Sequence, residues 1–313
     1  MFKKLLFFFL ILLLFVGIYA FFLRKDLTLS REYIKEKYKE PNSKFIQWKG
    51  AEIHYTESGK GFPILMIHGF GGSFKDFEKL DHLLNPNYKV IRIDVPGFGL
   101  SEFPGKPTPQ TDFNSIYNEY FNFLIDTLHL DSFYVMGNSL GGMMSWVLTL
   151  EHPDKVKKLV LLNSAGYDMK EVEKSAGVKR FQNPIITAFL KRGVPYFMTE
   201  NGVNRVFYHK SNLSAEKTQR MNDFWNRKGA LEQIICMSNS KNYPDQNKIK
   251  NIQVPTLILW GKEDIIINSK FAERFHQDIQ NSTMVVYDSC GHVPMVEYPE
   301  KVLKDVNTFF DKK

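Results

Sequence analysis

An α/β fold with a mainly parallel sheet is the fold class that this sequence predicts, and two observations carry the prediction. After residue 44, short apolar segments alternate with helix-length amphipathic segments, which is the order expected of βα units. The short segments are almost continuously apolar, as strands are when helices cover both faces of their sheet. With 313 residues, 43% of them hydrophobic, the chain can bury the core that such a sheet requires.

The predicted strands are short and bounded by glycine, proline, asparagine or charged residues. The segment 45–55, with Lys49-Gly50 at its centre, predicts an antiparallel hairpin that precedes the parallel strands. Six further strands are predicted at 63–68, 89–95, 132–136, 156–162, 255–260 and 282–287. Helices are predicted at 113–129 and 140–151, where apolar residues recur at helical spacing.

The alternation stops between about 166 and 251, where no strand-like segment occurs and aromatic residues recur at helical spacings. This predicts a helical insertion above the strand ends. The predicted divisions are a transmembrane anchor at 1–24, a juxtamembrane stalk at 25–44, the first core part at 45–165, a helical cap or lid at 166–250, and the second core part at 251–313.

The N-terminal segment predicts a membrane anchor. The run from Leu5 to Leu23 is uncharged, and about 20 apolar residues span a bilayer as a helix. A cleaved signal peptide is the alternative, but the run is long for one and Ile18 is a poor cleavage-site residue. We therefore expect a single-pass membrane protein with the bilayer as a partner. Lysines before the span and basic residues after it give conflicting indications of orientation, so the membrane side stays open.

Charge and cysteine content exclude several classes of protein. Residues 1–44 carry +5 of the net charge of +7, so the rest of the chain is nearly neutral and lacks a phosphate-binding field. Nucleic acid is therefore not an expected partner. The two cysteines, Cys236 and Cys290, provide neither a disulfide framework nor a metal cluster, and no histidines have ligand spacing. No metal is expected.

Gly137-Asn138-Ser139-Leu140-Gly141 fits the pattern G-x-S-x-G, with a predicted strand before it and a predicted helix after it. A serine on such a sharp turn leaves no room for Cβ atoms at the flanking glycines. The turn also directs the start of the helix, with its amide groups, toward the reaction centre. Ser139 is the candidate nucleophile.

A second motif, His68-Gly69-Phe70-Gly71-Gly72, directly follows a predicted strand. A loop at this place can turn a backbone N–H inward, so the amides of Phe70 and Leu140 are the candidate oxyanion hole. A plain tight turn and a phosphate cradle are alternatives, although neither G-x-G-x-x-G nor a P-loop motif occurs in the chain. His68 itself is expected to be structural.

A serine hydroxyl needs an imidazole to accept its proton and a carboxylate to orient that imidazole. His292 follows the last predicted strand on a short loop, and Asp264 follows the preceding strand in the same manner. The chain order is Ser139, Asp264, His292, which is the order associated with the nucleophile elbow.

The sequence resembles the α/β-hydrolase superfamily from about Phe45 to the C-terminus. The resemblance rests on HGFGG, DVPGFGLS, GNSLGG, GKED and CGHVPMVEYPE, which occur in the family's order and spacing. It implies an eight-stranded mostly parallel sheet with helices on both faces, a helical cap at 166–250, and a cofactor-free Ser-His-Asp mechanism. The family pattern also favours Asp264 over the neighbouring Glu263 as the acid.

Relatives that open epoxides or displace halide use a carboxylate where Ser139 stands, so acyl transfer to water is the expected reaction. The predicted function is a membrane-anchored serine esterase or lipase that acts on lipid-like or apolar acyl esters. Two alternatives stay open. One is a carbon-carbon bond hydrolase of vinylogous diketones, although Val293 and Gly71-Gly72 depart from the Trp and Gly-Pro-Gly of such relatives. The other is a non-catalytic binding protein with the same fold.

Overall fold

A computed structural model describes residues 2–23, 26–108, 110–168, 181–240 and 243–312. Eight strands form one sheet in the order β1-β2-β4-β3-β5-β6-β7-β8, which confirms the predicted strand number. The strands are β1 Ser43–Trp48, β2 Ala51–Ser58, β3 Phe62–Ile67, β4 Tyr88–Ile93, β5 Phe133–Asn138, β6 Val156–Leu162, β7 Thr256–Gly261 and β8 Ser282–Tyr287.

The sheet is antiparallel only at its first edge. Strand β2 pairs antiparallel with both β1 and β4, and the other neighbouring strands pair in parallel. Lys49 and Gly50, both with positive φ, make the tight turn of the predicted hairpin. The carboxyl ends of β3, β5, β7 and β8 lie at one edge, so the loops that follow these strands meet there.

Helices cover both faces of the sheet, as predicted. In β3, Ile64 and Met66 face one apolar cluster, whereas Leu65 and Ile67 face the other. The helices are α1 Phe2–Leu23, α2 Arg31–Tyr38, α3 Glu78–Leu84, α4 Phe113–Thr127, α5 Leu140–Glu151, α6 Pro184–Leu190, α7 Tyr196–Asn204, α8 Ala215–Asn226, α9 Ala230–Asn239, α10 Lys270–Asp278, α11 Pro294–Glu297 and α12 Pro299–Phe310. Helices α6 to α9 follow β6 and precede β7. The segment 169–180, which belongs to the predicted cap, lies outside the described residues.

The structure of the N-terminal helix contradicts the predicted membrane anchor. Among the residues that the structure describes, no helix has the length and apolar character needed to cross a bilayer, so the predicted single-pass membrane location is wrong. Arg24 and Lys25, which the prediction counted in the anchor and the stalk, lie outside the described residues.

The segment Leu27–Glu40, called here the N-terminal strap, lies against the folded body. Ser30 begins α2 by accepting a hydrogen bond from the first turn through its hydroxyl. Ile34 is fully buried in a cluster with Phe74, which follows β3, and Phe224 of α8. Burying a side chain of this size stabilises the folded state by about 2 kcal/mol. The strap therefore joins the sheet to the helices inserted between β6 and β7.

The strap ends in an ion-pair network. The Glu40 carboxylate accepts hydrogen bonds from Arg92, at 2.6 Å, and from Lys75, and only 16% of the Glu40 side chain is exposed. Burial alone would raise the pKa of the Glu40 carboxyl, but the Lys75 hydrogen bond and the Arg92 charge outweigh burial and hold the pKa below its ordinary value. The ionised carboxylate is thus stabilised in the folded state.

We expect Glu40→Gln to lower the free energy of unfolding by about 2 kcal/mol at pH 7, because charge-assisted hydrogen bonds to Arg92 and Lys75 are lost. A lowered pKa in the folded state makes this contribution present above the ordinary glutamate pKa and lost as the pH falls through the folded value. Urea unfolding at pH 7 and pH 3 should therefore show a difference that shrinks in acid. Glu36→Gln, at an exposed carboxylate paired with Lys39, is the control and should change little. An equal loss for Glu40→Gln at both pH values would contradict the prediction.

Candidate active site

Ser139 lies on a strained turn between β5 and α5. Its backbone angles are φ 55° and ψ −117°, a region that non-glycine residues rarely adopt. Neighbouring backbone groups hold the conformation, because the Ser139 N–H donates to the Leu162 carbonyl at 3.0 Å. The Ser139 carbonyl accepts from Met143 at 3.1 Å and from Ala165 at 2.9 Å. The local geometry is the sharp strand-to-helix turn that the sequence predicts.

The two glycines of the G-x-S-x-G pattern allow this turn to pack. A Cβ atom at Gly137 would lie 2.2 Å from the carbonyl oxygen of Gly141. A Cβ atom at Gly141 would lie 2.1 Å from the carbonyl oxygen of Ile67, the last residue of β3. Atoms cannot approach so closely, and therefore only glycine lets α5 start this near the sheet.

Asp264 and His292, which come from the loops after β7 and β8, are in direct contact. His292 Nδ1 lies 2.7 Å from Asp264 Oδ2, and the two residues are only 6% and 4% exposed. Asp264 Oδ1 accepts backbone hydrogen bonds from Ile266 at 2.7 Å and Ile267 at 3.0 Å, which fix the carboxylate plane. With Nδ1–H donating to the carboxylate, His292 Nε2 is left as a proton acceptor.

Asn163 is a residue of this site that the sequence analysis missed. Its side-chain amide donates to Asp264 Oδ2 at 2.6 Å and to the Gly291 carbonyl at 3.3 Å, while its Oδ1 accepts from the Gly261 N–H at 3.2 Å. Asn163 follows β6 directly, is fully buried and has φ 44°, a value that asparagine tolerates better than most residues. An asparagine at the end of a buried strand was the only signal in the sequence.

The loop after β3 is ordered by His68. The Val95 N–H donates to His68 Nε2 at 3.1 Å, so this nitrogen carries no proton and Nδ1–H donates to the Gly69 carbonyl at 2.7 Å. The Gly69 carbonyl also accepts from the Gly72 N–H at 3.1 Å. These contacts fit the structural role predicted for His68.

The same loop lies beside Ser139. A Cβ atom built on Gly69 would be 3.1 Å from the Ser139 Cβ. In a planar trans peptide the C=O and N–H point in opposite directions, so the Phe70 N–H points away from the donors that occupy the Gly69 carbonyl. Leu140, which carries the other predicted donor, is the first residue of α5. The backbone of His292 is also near, because its carbonyl accepts from Asn138 Nδ2 at 3.0 Å.

A cavity of about 140 Å³ lies beside the loop after β3, although none of Ser139, Asp264 and His292, all of which the structure describes, lines it. Gly71 and Gly72 of the loop after β3 line it on one side, and Val293, next to His292, lines it on another. Burial and the charges of Lys79 and Arg220 lower the pKa of the Lys217 ammonium, which indicates crowded positive charge at the wall. The charged lining residues are Lys75, Lys79, Lys217 and Arg220, with Asp76 and Glu78 as the acids.

Glu297 ties the His292 loop to the inserted segment. Its Oε1 accepts from the Gly291 N–H at 2.7 Å, and its Oε2 accepts from the N–H groups of Tyr208 at 3.0 Å and His209 at 2.8 Å. The His292 N–H also donates to the carbonyl of Val206 at 2.8 Å. The loop that carries the imidazole is therefore bonded to residues 206–209.

Asp94, a buried carboxylate that closely follows β4, has a different histidine partner. Its Oδ2 lies 2.7 Å from His54 Nδ1, and it accepts backbone hydrogen bonds from Phe74 at 2.8 Å and Leu100 at 2.9 Å. Burial alone would raise the pKa of the Asp94 carboxyl, but the His54 hydrogen bond and charge hold it below its ordinary value. These hydrogen bonds order the loops after β3 and β4, and none of them involves His292.

A family model described as the alpha/beta hydrolase fold matches residues 63–299, more than half of the chain, so the protein belongs to this family. A 2-hydroxy-6-oxononadienedioate/2-hydroxy-6-oxononatrienedioate hydrolase of Pseudomonas putida is 28% identical over 277 residues, which cover 82% of this chain and 93% of that protein. The hydrolase of the same name from Escherichia coli strain K12 is 26% identical over 267 residues, which cover 80% of this chain and 88% of that protein.

Two solved structures share the fold. A meta-cleavage product hydrolase from Pseudomonas fluorescens IP01 aligns with a TM-score of 0.73 and 21% identity over 86% of this chain and 97% of that chain. A membrane phospholipase A described as a bacterial virulence factor aligns with a TM-score of 0.74 and 23% identity over 99% and 98% of the two chains. At these identities the likeness extends to the fold alone.

The names of the sequence relatives overturn the predicted activity. The prediction of an esterase or lipase acting on lipid-like or apolar acyl esters is wrong, because those relatives are named for substrates that are keto diacids and contain no ester bond. Hydrolysis of such a molecule breaks a carbon-carbon bond. The relatives therefore match the alternative that the sequence analysis kept open, a carbon-carbon bond hydrolase.

Proposed function

We propose that this protein is a serine-dependent hydrolase that cleaves a carbon-carbon bond in a vinylogous diketone bearing a carboxylate. The observation that carries the proposal is that sequence relatives aligned over four fifths of the chain are named for hydrolysis of 2-hydroxy-6-oxo dienedioates. The hydrogen-bonded pair of Asp264 and His292, with Ser139 on its turn nearby, supplies the groups that such a reaction needs.

Each residue has a role in this proposal. Ser139 is the nucleophile toward the 6-oxo carbonyl of the substrate, and His292 takes the serine proton. Asp264 holds the imidazole in the tautomer with Nδ1–H, while the amides of Phe70 and Leu140 stabilise the oxyanion.

The bond that breaks is the one between this carbonyl and the neighbouring chain carbon. The 2-hydroxy dienoate first tautomerises to the vinylogous diketone, which moves the hydroxyl proton to the leaving carbon. When the bond breaks, the electron pair passes into the conjugated keto group, and the enolate oxygen that forms receives the proton from His292. Water then adds to the acyl group on Ser139, so the products are a carboxylic acid and a shortened dienoate. No cofactor is required by this sequence of steps.

The charge of the cavity supports an anionic substrate. Lys79, Lys217 and Arg220 line it, and Arg220 is only partly exposed there. The fourth basic residue of the lining, Lys75, is already paired with Glu40 and Glu78. Arginine is suited to this task, because its planar guanidinium binds a carboxylate through two parallel hydrogen bonds. We assign Arg220 to the substrate carboxylate.

We expect Arg220→Gln to raise KM about tenfold with a smaller change in kcat, because the lost charge-assisted bond contributes to binding in both ground and transition states. Steady-state kinetics with a dienedioate substrate measure this. Arg205→Gln is the matched control, since it makes the same charge change at an exposed residue outside the cavity lining. An unchanged KM in Arg220→Gln would contradict the assignment.

The function is tested by incubating the protein with a 2-hydroxy-6-oxo dienedioate and following the loss of its conjugated absorbance. Chromatography should show the carboxylic acid and the shortened dienoate in equal amounts. The control is the same protein after treatment with a fluorophosphonate, which blocks an activated serine. If Ser139 reacts with the fluorophosphonate and yet the untreated protein does not consume the dienedioate, the proposed reaction is refuted.

A further inference from the structure

Trp225, near the end of α8, contacts the loop that carries Phe70. Its indole N–H donates to the Gly71 carbonyl at 2.8 Å, and a Cβ atom at Gly71 would lie 3.0 Å from the indole nitrogen. The ring also packs edge-on against Phe181, with the ring centres 6.0 Å apart. A residue of the inserted helices thus holds a backbone group of the loop after β3.

This contact reaches the predicted oxyanion donor through two peptide groups. The carbonyl held by Trp225 and the N–H of Gly72 belong to the same peptide, and that N–H donates to the Gly69 carbonyl. The Gly69 carbonyl in turn shares a peptide with the Phe70 N–H. Since each peptide is planar, fixing the Gly71 carbonyl restricts the direction of the Phe70 N–H.

The N-terminal strap holds α8 from another side. Asp223, two residues before Trp225, accepts hydrogen bonds from Lys37 Nζ and from the Tyr38 hydroxyl, both at 2.7 Å. The Tyr38 ring packs on Phe224, with the ring centres 4.9 Å apart. Asp223 and Phe224 are both buried, so these are close contacts inside the molecule.

Backbone hydrogen bonds continue the attachment. The Leu29 N–H donates to the Asn226 carbonyl at 2.8 Å, and the Lys228 N–H donates to the Leu29 carbonyl at 2.9 Å. On the side of the sheet, Lys35 pairs with Glu52 of β2 at 2.6 Å. The strap is thus fixed to the sheet and to α8 together.

We propose that Trp225 is a positioning residue for the oxyanion donor Phe70, and that the N-terminal strap holds α8 where Trp225 can act. The inference rests on the proposed function in one respect, since it requires Ser139 to use the Phe70 amide. It adds that reactivity at Ser139 depends on a segment near the N-terminus. Neither the strap nor Trp225 touches the reacting atoms in this account.

The test measures phosphonylation of Ser139 by a fluorophosphonate, because this reaction uses the oxyanion hole whichever substrate the enzyme has. Trp225→Phe keeps a ring and removes the N–H donor. We expect its maximal rate of inactivation to fall about tenfold while the inhibitor concentration for half-maximal rate stays within twofold. If Trp225 only stabilised the fold, Trp225→Phe would lower the thermal stability. It would not lower the maximal rate of inactivation while leaving the inhibitor concentration for half-maximal rate unchanged.

A second variant tests the strap. Lys37→Met combined with Tyr38→Phe removes both hydrogen bonds to Asp223 and should slow phosphonylation about threefold. If the strap acts through Trp225, adding these two changes to Trp225→Phe should cause no further slowing. Tyr287→Phe is the matched control, because it removes one hydrogen bond, to Asp305 at 2.7 Å, in another part of the fold. Its rate should stay within twofold of the wild-type rate.

The outcomes separate the two proposals. A wild-type rate in Trp225→Phe, or a full additional effect of the strap changes on that variant, would overturn the positioning role. If Trp225→Phe does not fold, the strap variant alone decides, and a wild-type rate there overturns the inference. Wild-type protein that is labelled at Ser139 but does not consume a dienedioate refutes the proposed function alone. Wild-type protein that is not labelled at Ser139 overturns both.

Discussion

Replacing Ser139 by alanine is expected to abolish fluorophosphonate labelling and to lower turnover of a dienedioate by at least about 10⁴-fold, since covalent catalysis requires the hydroxyl. Folding should be preserved. The groups of Ser139 that hold the turn are its backbone N–H and carbonyl, and alanine provides both. The φ of 55° is disfavoured for alanine much as it is for serine, so the free energy of unfolding should change by less than about 1 kcal/mol.

Ser289→Ala makes the same change at another serine with positive φ, 58°, and serves as the control. Its turnover should stay within about twofold of the wild-type value. Retained labelling in Ser139→Ala, located by mass spectrometry at another residue, would show that the nucleophile lies elsewhere. Retained turnover without labelling would indicate direct attack by water and would remove the acyl-enzyme from the proposal.

Asp264→Asn should lower turnover by about 10³–10⁴-fold, the size of effect that a carboxylate-to-amide change has in other serine triads. The reason lies in the hydrogen bonds at the carboxylate. The backbone N–H groups of Ile266 and Ile267 require an oxygen at the Oδ1 position, so the amide NH₂ must face His292 and Asn163. The amide NH₂ then faces His292 Nδ1 as a donor, so the imidazole must carry its proton on Nε2. Nε2 can then no longer accept the proton of a serine.

Glu263→Gln is the control for this experiment, because Glu263 is the alternative acid next to Asp264. Its Oε2 accepts from the Cys290 N–H at 3.0 Å, and a glutamine oxygen can accept the same bond. Turnover should fall less than threefold. If Glu263→Gln is the more damaging change, the acid has been assigned to the wrong residue. Rates should be measured across pH, since a changed tautomer alters the basic limb of the profile.

Much of the fold could be predicted from the sequence, because local and long-range requirements coincide in its strands. Strands β6 and β8 begin and end at the predicted residues, and α5 does so too. A buried parallel strand must be short, apolar and bounded by residues that turn the chain. Asp264 and His292 could be placed together for a related reason, since the carboxyl ends of parallel strands share one edge.

The remaining contacts of the site could not be predicted, because they join residues that are distant in sequence and carry no local pattern. Asn163 is 101 residues from Asp264, and Trp225 is 154 residues from Gly71. Each contact depends on how loops and inserted helices pack in three dimensions. The strap is a similar case, because its charged residues resemble a solvated helix in sequence while Ile34 is fully buried.

The substrate class was predicted wrongly for a physical reason. The expectation of a lipid-like ester drew on the apolar N-terminal run and on the aromatic residues of the insertion. Substrate choice depends instead on the side chains around the reacting groups, and the cavity that Val293 lines contains charged as well as apolar side chains. A composition averaged over a long segment does not reveal which few of its residues line a cavity.

The bonds of Glu297 have a consequence for how natural sequence variation in this protein should be interpreted. Tyr208 and His209 precede Glu297 by 89 and 88 residues, yet one carboxylate connects them to the loop of the catalytic-base candidate. An insertion or deletion near these two residues would displace their backbone N–H groups, and Glu297 Oε2 would then lose the hydrogen bonds that it accepts from them. We therefore expect such a change to alter the position of His292, although it lies far from His292 in the sequence.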